Sequence, residues 1–101
     1  MEYADCNGTR LAYEVQGSGE EVLLIMGLAA RATAWENQYR GLADRFRVAR
    51  FDNRGIGASA PLARRRTSIR EMAGDALGLL DHLGWERAHI VGVSMGGMIA
   101  Q

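Results

Sequence analysis

Ile90-Val91-Gly92-Val93-Ser94-Met95-Gly96-Gly97-Met98 is the stretch that decides the fold of this 101-residue chain. A short apolar run ends at a serine, glycines stand two residues to either side of it, and a helix-compatible segment follows. A G-x-S-x-G pattern between strand and helix has the layout of a nucleophile elbow. The strand delivers the serine to the edge of a sheet. The turn is too tight for side chains two positions before and two after it, which accounts for Gly92 and Gly96. The Ser94 hydroxyl then projects into open space, and the Met95 N–H points where an oxyanion would form. The helix beginning near Gly96 aims its positive end at the same spot. With 13 glycines in the chain the pattern alone has low specificity, so its context has to decide.

Upstream of this stretch, Ala88 to Val93 reads as a strand. Before it, Ser68-Ile69-Arg70-Glu71 has the spacing of a capping box, and Ile69, Met72, Ala73, Ala76, Leu77, Leu80 and Leu83 form one apolar stripe at helical spacing. Gly84 stands where a C′ residue belongs. Gly74 and Gly78, four apart, cost helix propensity and predict a close helix–sheet approach. Further back, Arg47 to Phe51 predicts a short strand running into the polar, glycine-bearing loop Asp52-Asn53-Arg54-Gly55-Ile56-Gly57-Ala58-Ser59. Pro61 and Arg64-Arg65-Arg66 extend that loop. Thr33-Ala34-Trp35-Glu36 has capping-box spacing too, and Trp35, Tyr39, Leu42, Ala43 and Phe46 predict a helix over about 34–44.

The beginning of the chain completes the pattern. Asn7-Gly8 suits a type I′ turn, which needs positive φ at both positions, between strands over 2–6 and 10–15. Leu11, Tyr13 and Val15 alternate with polar neighbours, as in a strand with one buried face. Val22-Leu23-Leu24-Ile25-Met26 is continuously apolar, as in a parallel strand covered on both faces. The order is hairpin, strand, helix, strand, helix, strand, start of a helix. It predicts an α/β fold with a mostly parallel sheet between helices.

Composition bounds the reading. The length allows one small domain, and 48% hydrophobic content suits a buried core. The formal net charge is zero, so no bulk charge argues for nucleic acid or an anionic membrane as partner. All twelve basic residues are arginine, which is read as a genome composition bias. Cys6 is the only cysteine, which excludes an intrachain disulfide and points to a reducing, cytoplasmic compartment. The longest apolar run, Val22 to Ala30, is too short to span a bilayer. Gln101 falls in the first turns of the helix that follows Ser94, so the chain reads as the front part of something longer.

Taken together, Ile25-Met26-Gly27-Leu28, Asp52 to Ser59 and Gly92 to Gly97 resemble, in order and spacing, the N-terminal portion of the α/β-hydrolase fold superfamily. The resemblance covers residues 1–101, read as one partial domain that stops after the nucleophile elbow. It is greatest to small esterases, lactonases and cofactor-free haloperoxidase-like members, including enol-lactonases and methylesterases. It implies that Ser94 is the nucleophile and that the backbone N–H groups of Leu28 and Met95 form the oxyanion hole, with Gly92 and Gly96 as the elbow glycines. Many relatives carry His-Gly before the second donor, where this chain has Met26-Gly27. The family order of the triad is serine, acid, histidine, and neither partner follows Ser94 within these residues. The implied activity of the complete protein is hydrolysis of a small carboxylic ester or lactone, without metal or organic cofactor. These 101 residues alone are expected to be inactive. Two alternatives stand beside this: a non-enzymatic, truncated or partner-dependent chain, and perhydrolase or haloperoxidase-like chemistry.

Other candidates read more simply as structural. His82 and His89 are the only histidines, and their predicted positions, at a helix end and early in the last strand, lie too far from Ser94 to serve as its base. The resemblance implies that Asp52 turns the chain, while Asp81 is expected to be solvated, Arg64-Arg65-Arg66 to be a solvated loop, and Cys6 to be an ordinary strand residue. Trp35, Tyr39 and Phe46 are expected in the core.

Overall fold

The structure, a computed structural model, describes residues 2–27, 30–61 and 67–101. Strands β1 (Glu2–Cys6) and β2 (Thr9–Gln16) form the expected hairpin, with Cys6 opposite Thr9. Asn7 and Gly8 turn the chain at φ 50° and 75°, the pair of positive angles that a type I′ turn requires. Strand β3 (Glu20–Ile25) is followed by a 3₁₀ turn (Ala32–Trp35) and helix α1 (Glu36–Leu42). Then come β4 (Phe46–Phe51), α2 (Ile69–Leu83), β5 (His89–Gly92) and α3 (Met95–Ala100). The five strands make one sheet in the order β1-β2-β4-β3-β5, with β4, β3 and β5 parallel and the hairpin joined antiparallel to β4.

The continuous apolar run of β3 is explained by what covers it. Leu23 and Ile25 face α2 and α3, in a core with Leu11, Phe51, Met72, Leu79 and Ile99. Val22, Leu24 and Met26 face the other way, in a second core with Trp35, Tyr39 and Val48. Successive strand residues point to opposite faces, so a strand covered on both sides must be apolar throughout. Strand β5 lies at the sheet edge, and Ile90, Val91 and Val93 are exposed there.

Helix α2 is capped as its sequence demands. The Ser68 hydroxyl accepts from the Glu71 N–H, the Glu71 carboxylate accepts from the Ser68 N–H, and Gly84 closes the helix in the left-handed conformation. Its buried face differs from the predicted stripe. Leu79 is fully buried and Leu77 is 63% exposed, and Asp75, absent from the apolar pattern, is buried. The helix seats on the hairpin through its two glycines: a Cβ on Gly74 would stand 2.8 Å from the Asn7 amide, and one on Gly78 2.9 Å from the Cys6 Cβ. The Arg54 guanidinium adds a fork on Asp75, with Nε and Nη2 each 2.7 Å from a carboxylate oxygen. These contacts rotate the helix so that the 72–75–76–79 face turns inward.

The capping box expected at Thr33 does not form. The segment enters as a 3₁₀ turn with no side-chain cap, and α1 runs only over Glu36–Leu42. Its first N–H is held from outside the segment, since Ala32 N–H donates to Asp52 Oδ1 at 2.7 Å. Glu36 is drawn instead to Arg50 at 2.8 Å and Arg40 at 2.9 Å. The buried Arg50, which also pairs with Glu14 and lies over the Tyr39 ring, is a stronger partner than a backbone N–H.

Candidate active site

The site is built where β3 and β5 end side by side. Leu24 pairs with Val91 and Ile25 with Gly92, and past the ladder Val93 N–H still donates to the Ile25 carbonyl at 3.3 Å. The chain then turns sharply. Ser94 sits at φ 56°, ψ −122°, one of two non-glycine residues with positive φ among the described residues. A side chain held there stores about 1–3 kcal/mol of backbone strain. The strain exposes the Ser94 side chain at the head of α3, while Gly96 and Gly97 N–H groups donate back to the Val93 and Ser94 carbonyls at 2.8 and 2.9 Å.

Both flanking glycines are sterically required. A Cβ on Gly92 would collide with the Gly96 carbonyl oxygen and stand 2.6 Å from Gly97 N. A Cβ on Gly96 would collide with the Ile25 carbonyl oxygen and stand 2.8 Å from that of Met26. Gly27, at the exit of β3, closes the other side. A Cβ there would lie 3.3 Å from Ser94 Cβ and 3.7 Å from Met95 N. Gly27, Gly92, Ser94, Met95 and Gly96 are thus brought together, and Leu28 lies outside the described residues.

The loop after β4 buttresses this corner. Asp52 is buried, and its two carboxylate oxygens accept from the Ala32 and Ala58 N–H groups, the structural part expected of it. The Ser59 hydroxyl accepts from Ala12 N–H and donates to the Asp52 carbonyl, tying the loop to β2. Asn53, 1% exposed, donates from Nδ2 to the Met26 carbonyl at 3.0 Å. Its part was not legible from the sequence, where it is one polar residue in a polar loop. The Arg54–Asp75 pair was missed as well, although a lone aspartate amid the apolar face of α2 is the signal that would have found it.

Neither histidine approaches Ser94. His89 opens β5 about 10 Å of strand upstream of Gly92, at ~3.3 Å per residue, edge-on to the Phe46 ring and 3.5 Å from Glu20. His82, at the end of α2, packs edge-on against Tyr13. Cys6 lies half-buried against α2, and burial followed by the nearby Asp75 carboxylate pushes its thiol pKa up. Among the described residues no group of His, Cys, Asp and Glu could hold a metal ion, and no helix is long and apolar enough to cross a membrane. An apolar groove of about 190 Å³, lined by Leu77, Leu80, Ile90 and Ile99 among others, opens between α2 and α3 and does not include Ser94.

A strand-to-helix turn that presents a strained serine beside the end of a neighbouring parallel strand defines a class, and comparison with known proteins bears the class out. The chain belongs to the family described as alpha/beta hydrolase fold, which matches residues 21–101. It is similar to a putative carbamate hydrolase, RutD, of Azorhizobium caulinodans, with 39% identity over 99 residues, 98% of this chain and 37% of that protein. Among solved structures it is similar to the enol-lactonase of Burkholderia xenovorans (TM-score 0.92, 36% identity, 97% of this chain and 39% of that one). It is likewise similar to a thermophilic esterase of Thermogutta terrifontis (TM-score 0.92, 34% identity, 99% and 39%). The chain therefore spans less than two fifths of the length of these relatives.

Proposed function

We propose that these residues are the nucleophile-bearing part of a serine hydrolase acting on small carboxylic esters or lactones. The observation that carries this is the backbone of Ser94, strained to positive φ at the junction of β5 and α3. Strain of this kind persists only where the surroundings over-determine it, and it concentrates at functional sites. The names of the relatives supply the substrate class.

In the proposed reaction Ser94 Oγ attacks the carbonyl carbon. The serine proton passes to a general base, and the carbonyl π pair moves onto oxygen. Met95 N–H, beside Gly27, donates to that oxyanion, and Leu28 N–H is the proposed second donor. Collapse of the intermediate expels the alcohol and leaves an acyl-Ser94, which water hydrolyses. The base is a histidine from outside these 101 residues, oriented by an acid likewise from outside, because His82 and His89 are held elsewhere.

Added imidazole can stand in for that base. The chain is incubated with p-nitrophenyl acetate and imidazole, and acetylation of each serine is followed by peptide mass spectrometry. Ser94 should acetylate at least about tenfold faster than the loop residue Ser18, since donors preset for an oxyanion act even without the rest of a triad. Equal rates at Ser94 and Ser18 would refute the nucleophile role.

A further inference from the structure

Asn53 combines near-complete burial with an incomplete set of hydrogen bonds. Nδ2 donates to the Met26 carbonyl, and Oδ1 has no donor among the described residues. The orientation follows from chemistry, since a carbonyl only accepts and the amide nitrogen must face it. As packing alone this residue is a poor choice, because leucine would occupy similar space without carrying an unmet Oδ1 into the interior. What Asn53 provides is its grip on Met26.

The gripped carbonyl shares a rigid peptide plane with the Gly27 N–H. That plane touches the elbow from both ends. A Cβ on Gly96 would stand 2.8 Å from the Met26 oxygen, and a Cβ on Gly27 would stand 3.3 Å from Ser94 Cβ and 3.7 Å from Met95 N. Asn53 is itself fixed from behind. Its carbonyl accepts from Ile56 N–H at 3.0 Å, and the preceding Asp52 carboxylate is locked by the two N–H groups described above. Rotation of the Met26–Gly27 peptide would therefore change the space over Ser94 directly.

Resting on the serine-hydrolase reading, we infer that Asn53 is a positioning residue. It sets the Met26–Gly27 peptide against Ser94 and Met95, so that acyl transfer to Ser94 depends on a hydrogen-bond donor at position 53. Stabilisation of an oxyanion falls steeply when the groups around it shift by a fraction of an ångström.

The experiment compares the Ser94-to-Ser18 acetylation ratio, with p-nitrophenyl acetate and imidazole, in wild type, Asn53→Leu and Asn53→Asp. Amide NMR of the β1–β2 hairpin reports the folded fraction, and rates are expressed per folded molecule. Asn53→Leu should lower the ratio about tenfold while Ser18 reacts as before. Asn53→Asp should be low in alkaline buffer, once the carboxyl, whose pKa burial raises, is ionised and has no proton to give to the Met26 oxygen. Relative to wild type in the same buffer, it should recover on acidification, as the protonated carboxyl regains a donor. If Asn53→Leu does not fold, the acid-side comparison of Asn53→Asp with wild type carries the test. A ratio unchanged in Asn53→Leu, or an Asn53→Asp ratio that does not rise relative to wild type between alkaline and acid buffer, overturns the inference and leaves wild-type selectivity intact. Loss of selectivity in the wild type itself overturns the serine-hydrolase reading instead, so the two failures are distinct.

Discussion

Replacing Arg54 by leucine should be among the most destabilising single changes in the molecule. Arg54 grips Asp75 with two bonds of 2.7 Å, and the Asp75 side chain is only 1% exposed. Without the guanidinium, the carboxylate keeps the Asn7 amide at 2.9 Å as its partner among the bonds described. The Arg54 bond to the Asn7 carbonyl at 3.2 Å is lost as well. Removing one member of a buried pair costs about 3–5 kcal/mol, because the other charge is left uncompensated. For a domain of this length that is roughly 10–40 °C in Tm, and a large share of a typical total stability of about 5–15 kcal/mol. The double variant Arg54→Leu/Asp75→Leu should recover most of the loss, because no charge is then stranded. Urea denaturation followed by circular dichroism, run as a double-mutant cycle, measures both. An Arg54→Leu chain within about 0.5 kcal/mol of wild type would refute this account of how α2 is held, as would a double variant no better than the single.

Gly78→Ala should destabilise despite alanine's helix propensity of about 1 kcal/mol. Its Cβ would stand 2.9 Å from the Cys6 Cβ, and such overpacking costs about 1–3 kcal/mol. Gly41→Ala in α1, where a Cβ meets open space, should be neutral or stabilising, and thermal melts of both variants check the contrast. Arg50 holds the Glu36 carboxyl below the ordinary carboxylate range, chiefly through their hydrogen bond. A depressed folded-state pKa contributes stability above the unfolded value of about 4.3 and loses it as pH falls through the folded one. Glu36→Gln should therefore flatten the acid limb of a Tm–pH curve. The exposed apolar edge of β5 should drive self-association that Val91→Lys suppresses, since a charge on an edge strand blocks edge-to-edge pairing; a wild type that sediments as a monomer at high concentration would contradict this. With p-nitrophenyl acetate and no added imidazole the chain should release p-nitrophenol no faster than its Ser94→Ala variant, and steady turnover that depends on Ser94 would contradict the absence of a base.

Much of this architecture was legible because it is written in local rules. Asn7-Gly8 demanded a hairpin, the run from Val22 demanded a doubly covered strand, and Ser68 with Glu71 demanded a helix start. Each depends on backbone geometry within a few residues. Ser94 with Gly92 and Gly96 was legible for the same reason: a tight turn excludes side chains at fixed offsets.

What failed or stayed hidden depended on partners far away in sequence. Thr33 did not cap α1, because Asp52 reached the Ala32 N–H from the loop after β4 and Arg50 drew Glu36 away. Leu77 turned outward and Asp75 inward, because Arg54 and the hairpin fixed the rotation of α2. Asn53 gave no sign of itself until Met26 and Gly27 were seen beside Ser94. The sequence by itself determined the order and type of the elements and the serine at their junction, because turn sterics and hydrophobic period act between near neighbours. Only the tertiary structure decided which polar side chains are buried and what they hold, because a buried charge or amide is tolerated only where a distant segment brings its partner.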